Sequence, residues 1–548
     1  MKQFLNALGC CRSGNDYKIE VPEYFNFGID VIDRRAADTP LKPAMLWVNQ
    51  QGDEQRFTYS DISRMSSRAA NFFLRIGVKA QDRVLVILPR IPAWWFAVCG
   101  LIKSGAIHCP APVMLTEYDL RGRINAGGFS CVITDAENAD KIDHIAAECP
   151  TLVRKVIVDA MRPGWNDFHA GLEQEHDVLQ PVRRTRSSDP MVIYFTSGTN
   201  NIDPKMVCHN HSLPLGHVIT AGYWHDLHED DLHFTLSDTG WAKCAWGKLF
   251  GQWLLGACVF VYDIRGKFHA EELLPLIEKY RINVFCAPPT VYRMLVHANL
   301  SKYDFSSLRH CCSAGEPMNT ETIRIWFSAT GLRIYEAYGQ TESVCMTAST
   351  SAMEYRPGSM GKPTPGWALE IIDDNGKAAG PHVVGRIAVN LTRRPVGLFD
   401  GYLNHEEANA EVFVDNYYFT GDKAYYDEEG FFWYVGRSDD VIKSSGYRIG
   451  PLEVENAIME HQAVCETAVI GVPDEIRGAV IKAYVVLKPG FDPSEELKQD
   501  IQHMVKNLTA PYKYPRIIEF ADALPKTISG KIRRNILRER SCSADAAV

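Results

Sequence analysis

Short apolar, β-branched runs recur through the first half of the chain: RVLVILP (83–89), CVITD (131–135), RKVIVD (154–159), MVIYFT (191–196), ACVFVYD (257–263) and INVFCAPP (282–289). Between several of them, segments such as DISRMSSRAANFFLRIG (61–77) and AEELLPLIEKYR (270–281) carry apolar positions at helical spacing. Strands alternating with helices predict an α/β fold of helix-covered, largely parallel sheets, in which ligands sit at the carboxyl ends of strands. The stretch YFT followed by SGT lies at such an end.

After residue 354 the pattern turns to short β segments: ALEIIDDNGKAAGP, GRIAVN and YYFTGDKAYYDEEGFFWYVGR, the last with a DEEG turn that predicts a hairpin. From about residue 440 a smaller α+β unit begins, with a helix at VENAIMEH, a strand at AVIKAYVVLK and an amphipathic helix at SEELKQDIQHMVKNL. At 548 residues, two or more domains are expected. No internal repeat is evident.

Composition narrows the function classes. Hydrophobic residues at 46% and charged residues at 23% are those of an ordinary globular protein, and a formal net charge of −9 gives no bulk attraction for nucleic acid. The runs 93–115 and 249–262 are interrupted or too short for a bilayer span and read as core. Fifteen cysteines are scattered without the paired spacing of a zinc site, which fits reduced, mostly buried thiols in the cytoplasm, Cys10-Cys11 and Cys311-Cys312 included. The N-terminal MKQFLNALGCCRSGNDYKIE makes a poor signal or transit peptide, and the final DAAV is no peroxisomal address.

The chemistry starts at YFTSGTNNIDPKMV (194–207). Thr196, Ser197, Gly198 and Thr199 can present hydroxyls and backbone N–H groups to phosphate oxygens, and Lys205 adds a charge. Asn200 and Asn201 visit the left-handed region more readily than most residues and can partly replace glycine. Asp203 opposes a phosphate unless a cation neutralises it. Taken alone, the stretch reads equally well as an ordinary Ser/Thr-rich turn.

Four further segments follow it in order: YEAYGQTE (335–342), YFTGD (418–422), GRSDDVIKSSGYRIGPLEVE (436–455) and PKTISGKIRR (525–534). Together they resemble the ordered signature of the adenylate-forming superfamily of acyl-CoA synthetases, adenylation domains and luciferases. The resemblance spans nearly the whole chain and is nearest to the medium-chain acyl-CoA synthetases, through SDTGWAK (237–243), SSGYRIGP (444–451) and TAPYKYPR (509–516).

The resemblance implies a large N-terminal domain, residues 1–438, of two mostly parallel sheets with a small β-rich subdomain, and a small mobile C-terminal domain, 439–548, hinged at Asp439. It implies two steps. A carboxylate attacks the α-phosphorus of ATP to give an acyl-adenylate and pyrophosphate, then coenzyme A displaces AMP. Both reactants of the first step are anions, so cations and aimed donors are required.

By the same resemblance, Gly315, Glu316 and Pro317 wall the adenine on one side and the Glu336-Ala337-Tyr338-Gly339-Gln340 strip on the other. Thr341 contacts the α-phosphate, Glu342 holds Mg²⁺, and Asp422 and Arg437 take the ribose hydroxyls. Lys531 swings in to bridge carboxylate and phosphate. After rotation about Asp439, Ser445, Gly446 and Tyr447 replace it, while Arg448 faces adenylate and Arg477, Lys506 and Arg516 face coenzyme A. Lys526, Arg533 and Arg534 are expected on a solvated basic face.

Gly339, where acetate-specific relatives carry a bulky aromatic, is expected to leave an open acyl tunnel lined by Trp241, for acids longer than acetate, aliphatic or aryl. The partners implied are a small carboxylic acid, ATP and coenzyme A; a homodimer is admitted but not required. Departures from the family pattern are the loop between Thr199 and Pro204, one residue longer and without its glycine, and Ser343 in place of glycine. Two other readings stay open: an adenylating ligase that loads a carrier protein, and a weakly catalytic acyl or nucleotide binder.

Overall fold

The computed structural model describes the chain except residues 1, 14–15, 197–204, 267–268, 439, 445–446, 475–477, 510–512, 528–530 and 546–548. Two large sheets dominate. The first runs, edge to edge, through Gly401–Leu403, Met206–Asn210, Pro190–Phe195, Ile107–Pro110, Arg83–Ile87, Cys131–Thr134, Arg154–Ile157 and Asn166–Asp167. Its pairings from Pro190–Phe195 onward are parallel, and the two strands at the other edge are antiparallel.

The second sheet orders Lys362–Pro363, Thr347–Ala348, Ile334–Tyr338, His310–Ala314, Val284–Cys286, Leu232–Thr235, Cys258–Asp263, Pro43–Asn49 and Glu54–Thr58. Its six middle strands are parallel. Buried on both faces, these strands are continuous apolar runs rather than alternating ones, which is why the sequence shows them so plainly.

Between the sheets lies the main core. Helix Tyr59–Arg75 starts where Thr58 and Asp61 exchange side-chain and backbone bonds in a capping box, and it packs on helix Pro92–Ser104, buried along nearly its whole length. The interrupted apolar run 93–115 is thus a core helix followed by strand Ile107–Pro110. The INVFCAPP run is shorter as a strand than its apolar length, because Pro289 opens helix Pro289–Leu295.

The β-rich part is an antiparallel sheet in which Tyr417–Tyr426 and Phe432–Arg437 form the hairpin expected around DEEG, pairing Asp422 with Arg437. The small C-terminal domain has its own core of Ile442, Ile449, Val454, Ile458, Val469, Ile481, Val485, Ile501 and Val505. Its strand Gly478–Leu487 pairs with Val464–Asp474 and Ile517–Phe520, covered by helices Pro451–Met459, Glu495–Leu508 and Arg534–Asp545. Among the described residues no helix is long and apolar enough to cross a membrane. Cys311 and Cys312 are buried free thiols.

Candidate active site

The site assembles where two parallel neighbours of the second sheet end. Strand His310–Ala314 runs into Gly315, Glu316 and Pro317, and strand Ile334–Tyr338 runs into Gly339, Gln340 and Thr341, with Ala314 beside Ala337 in register. Gly315 has φ +105, a backbone that other residues rarely adopt, so the turn leaving the strand needs glycine. Glu316 is turned away toward helix Pro289–Leu295, accepting from Thr290 Oγ1 at 3.2 Å and from Arg293 at 3.4 Å. Glu336 ties the two strips together: its carboxyl oxygens accept from Met318 N at 3.1 Å and Gly358 N at 2.9 Å. Burial pushes this carboxyl up to about 7.

Asp422 is the centre of the polar network. It is 4% exposed and accepts from Tyr338 Oη at 2.6 Å, Gln340 Nε2 at 2.7 Å and Tyr434 Oη at 3.2 Å, with Arg437 at 3.9 Å. Gln340 Nε2 also donates to Thr420 O at 2.8 Å, and its Oε1 accepts from Tyr418 at 2.9 Å, so the amide is fixed at both ends. Desolvation raises the Asp422 carboxyl, while Arg437, the two tyrosine hydroxyls and the Lys531 ammonium favour its charged form.

Thr341 and Glu342 follow at the seam with the first sheet. His209, on the strand that begins just after Lys205, donates through Nε2 to Thr341 O at 2.8 Å. Burial pulls this imidazole down to about 4, which keeps it neutral and able to donate. Glu342 Oε1 accepts from Tyr402 Oη at 2.8 Å, and Lys205 Nζ lies 4.8 Å over the Tyr402 ring. Desolvation raises the Glu342 carboxyl and the Tyr402 bond opposes that rise. Ser343 is not a loose substitute for glycine: its hydroxyl accepts from Gln340 N at 3.0 Å and closes the turn.

Lys531, on the small domain, adds a minor electrostatic influence on both Asp422 and Lys243. Lys243 was read from sequence only as part of a motif. It is drawn down by burial, donates to Ala314 O at 2.7 Å, and sits 3.9 Å from where a side chain on Gly315 would begin.

The expectation of open space at Gly339 is corrected. A Cβ there would meet Trp246 Cη2 at 2.4 Å and Val344 O at 2.7 Å, so the absent side chain makes room for an indole and not for a tunnel. Trp246 belongs to a buried cluster with Trp224, Cys286, Cys312, Tyr335 and Cys345. Trp241 is half-buried and caps the start of helix Ala242–Lys248, which carries Trp246. Arg534 is also corrected: it is not on a solvated face but 21% exposed against Glu455.

On the small domain, Lys506 and Arg516 flank the Tyr514 ring at 5.8 and 5.1 Å. Tyr447 and Arg448 lie on strand Tyr447–Ile449, with side chains outside the described set. Thr196 is described and its N–H donates to Lys205 O at 3.0 Å. Ser197, Gly198, Thr199, Asp439, Ser445, Gly446 and Arg477 lie outside the described residues.

Tyr402, His209, Trp246 and Lys243 are the site residues that sequence reasoning missed. Tyr402 lies outside every motif and reaches the site only through strand pairing, while His209 stands two residues beyond the 194–207 stretch, where nothing in the local pattern marks its side chain as a donor to Thr341.

Comparison with known proteins follows this geometry. The profile of the AMP-binding enzyme family matches residues 32–403, and that of the AMP-binding enzyme C-terminal domain matches 453–531. The chain belongs to the AMP-binding enzyme family. This enzyme is 44% identical over 536 residues to the mitochondrial acyl-coenzyme A synthetase ACSM3 of Mus musculus, an alignment covering 96% of this chain and 92% of the other. Its structure is similar to the anthranilate CoA ligase AuaEII in complex with anthranoyl-AMP, with a TM-score of 0.88 at 29% identity over 96% of this chain and 99% of that one. A benzoate CoA ligase from Burkholderia xenovorans LB400 matches with a TM-score of 0.82 at 26% identity, over 94% and 100%.

Proposed function

We propose that the enzyme is an ATP-dependent acyl-CoA synthetase that activates a medium-chain or aryl carboxylic acid as its adenylate and transfers the acyl group to coenzyme A, releasing AMP and pyrophosphate. The observation that carries this reading is the buried Asp422 carboxylate held by Tyr338 and Gln340, at the strand end that runs on to Thr341 and Glu342, with the Lys531 charge favouring its ionised form. A carboxylate oriented by three donors suits paired ribose hydroxyls, and an ammonium brought in by the small domain suits the meeting of two anions.

In this reading Tyr338 stacks on adenine against Gly315, Glu316 and Pro317, with Glu336 and Ala337 behind. Thr341 touches the α-phosphate, and its carbonyl is held by His209. Thr196, Ser197, Gly198, Thr199 and Lys205 hold the outer phosphates, Arg437 and Arg448 the sugar side, and Lys531 bridges the reacting carboxylate and phosphorus. Trp241 and the Trp246 wall bound the acyl group. Ser445, Gly446, Tyr447, Arg477, Lys506 and Arg516 serve coenzyme A once residues 439–548 turn about Asp439 relative to 1–438.

Among the described residues no group of three or more His, Cys, Asp or Glu forms a ready-made cation cage. The donor present, one half-buried carboxylate at Glu342, fits Mg²⁺, which completes its shell with phosphate oxygens and water. When bound, the ion supplies charge neutralisation to the phosphates. The scattered, mostly buried thiols suit a reducing compartment, in keeping with either the cytoplasm read from the sequence or the mitochondrial setting named for ACSM3.

Pyrophosphate release measured over a panel of carboxylic acids, with and without coenzyme A, tests the reading. Release coupled to thioester supports it; release without thioester points to another acceptor; no release with any acid overturns it. Lys531→Ala should cut release at least a hundredfold, and an unchanged rate would remove the role of that lysine.

A further inference from the structure

The last helix, Arg534–Asp545, begins three residues after Lys531. Its first side chain is clamped on several sides. The Arg534 guanidinium grips both oxygens of Glu455 at 2.6 and 2.9 Å, donates through Nε to Val469 O at 3.2 Å, and lies 3.6 Å from Asp440. Glu455 also accepts from Val469 N at 2.8 Å, and Asp440 is bound by Arg538 from the next turn. All three central groups are largely buried, at 21% exposure for Arg534, 9% for Glu455 and 13% for Asp440. A planar fork with several fixed acceptors has little freedom to move.

The Lys531 segment is stitched to this anchor. Arg533 N donates to Pro525 O at 2.8 Å, Thr527 N to Lys531 O at 2.7 Å and Lys531 N to Thr527 Oγ1 at 3.0 Å, with a bridge between Lys526 and Ile532. Asp440 directly follows residue 439 in the chain. The clamp therefore joins the segment at the domain boundary to the turn that presents the lysine.

We infer that Arg534 is a positioning residue for adenylation: held by Glu455 and Asp440, it sets the turn from which Lys531 reaches the phosphate and carboxylate. The inference rests on the two-step reading above, in which Lys531 serves the first step and leaves for the second. It touches no substrate itself, and its effect is confined to the half-reaction that uses Lys531.

The test separates the halves in the full-length enzyme. In Arg534→Gln, single-turnover pyrophosphate release without coenzyme A should fall at least about tenfold, while thioester formation from a synthetic acyl-adenylate and coenzyme A stays within about twofold of wild type. Arg534→Lys keeps the charge but not the fork and should fall between. In a Lys531→Ala background, Arg534→Gln should add no further loss of adenylation.

Unchanged adenylation, equal loss in both halves, or an additive loss beside Lys531→Ala overturns the inference. Should Arg534→Gln fail to fold, Asp440→Asn leaves the Glu455 pair intact and must show the same one-sided loss. A wild-type enzyme that releases no pyrophosphate defeats the functional reading and this inference with it; wild-type release unaltered in the Arg534 and Asp440 variants defeats the inference alone.

Discussion

Gly339→Ala is the sharpest perturbation the site offers. The added methyl begins 2.4 Å from Trp246 Cη2 and 2.9 Å from Cζ2, and 2.7 Å from the Val344 carbonyl. An ordinary contact needs about 3.4 Å, so the indole must retreat by roughly 1 Å, because the carbonyl is backbone and yields less. Trp246 is only 8% exposed and meets Trp224 edge-on at 6.1 Å, so it retreats within a filled cluster. Overpacking of this kind costs about 1–3 kcal/mol.

If the Trp246 wall bounds the acyl group, the displaced ring takes room from the far end of the substrate. Each methylene lost from burial is worth about 0.8 kcal/mol, or roughly fourfold in kcat/KM. The assay is kcat/KM across straight-chain acids of increasing length. Short acids should be unaffected, and the longest good substrates should drop about fourfold per displaced methylene. Adding Trp246→Phe, which removes Cη2 and Cζ2, should restore them. A length profile that superimposes on wild type, with unaltered thermal stability, would mean that the space beside 339 is free and the reasoning is wrong.

Two further outcomes follow from the same site. Tyr402→Phe removes the hydroxyl bonded to Glu342 and keeps the ring under Lys205; a hydrogen bond to a charged group is worth about 1.5–3 kcal/mol, so adenylation should slow about ten- to hundredfold with the KM for ATP nearly constant. Because that donor favours the ionised Glu342, its acid limb should also move to higher pH, and an unshifted pH profile counts against the role given to Tyr402. Glu336, at about 7 in the fold against 4.5 ordinarily, keeps its proton after the unfolded chain has lost it. Its contribution is thus complete below pH 4.5 and lost as pH rises through 7, about 3 kcal/mol in all. Urea midpoints of wild type relative to Glu336→Gln should be more favourable at pH 5 than at pH 7.5, and a constant gap refutes the assignment.

The parallel strands were legible because burial on both faces leaves uninterrupted apolar runs. The motif residues were legible because strand ends and their turns are local: Tyr338, Gln340 and Thr341 are neighbours in the chain and in space. Tyr402 and Glu342 are sixty positions apart and meet only because Gly401–Leu403 joins the edge of the first sheet beside Met206–Asn210. Arg534 was misread for a related reason. A basic cluster in sequence resembles a wet surface until Glu455 and Asp440, 79 and 94 positions earlier, are folded against it. Gly339 was misread because the shape of a vacancy depends on its neighbour, Trp246, which no spacing rule connects to it.

The pairing of Phe195 with Met206, continued by the bond from Thr196 N to Lys205 O, shuts the neck of the intervening segment. Whatever number of residues the bow contains, both ends of its knot stay tied to the sheet. One extra residue beyond such a neck changes closure entropy by only about 0.1 kcal/mol. A change in the length of this segment therefore costs the fold little, and the ammonium of Lys205 keeps its seat on Tyr402.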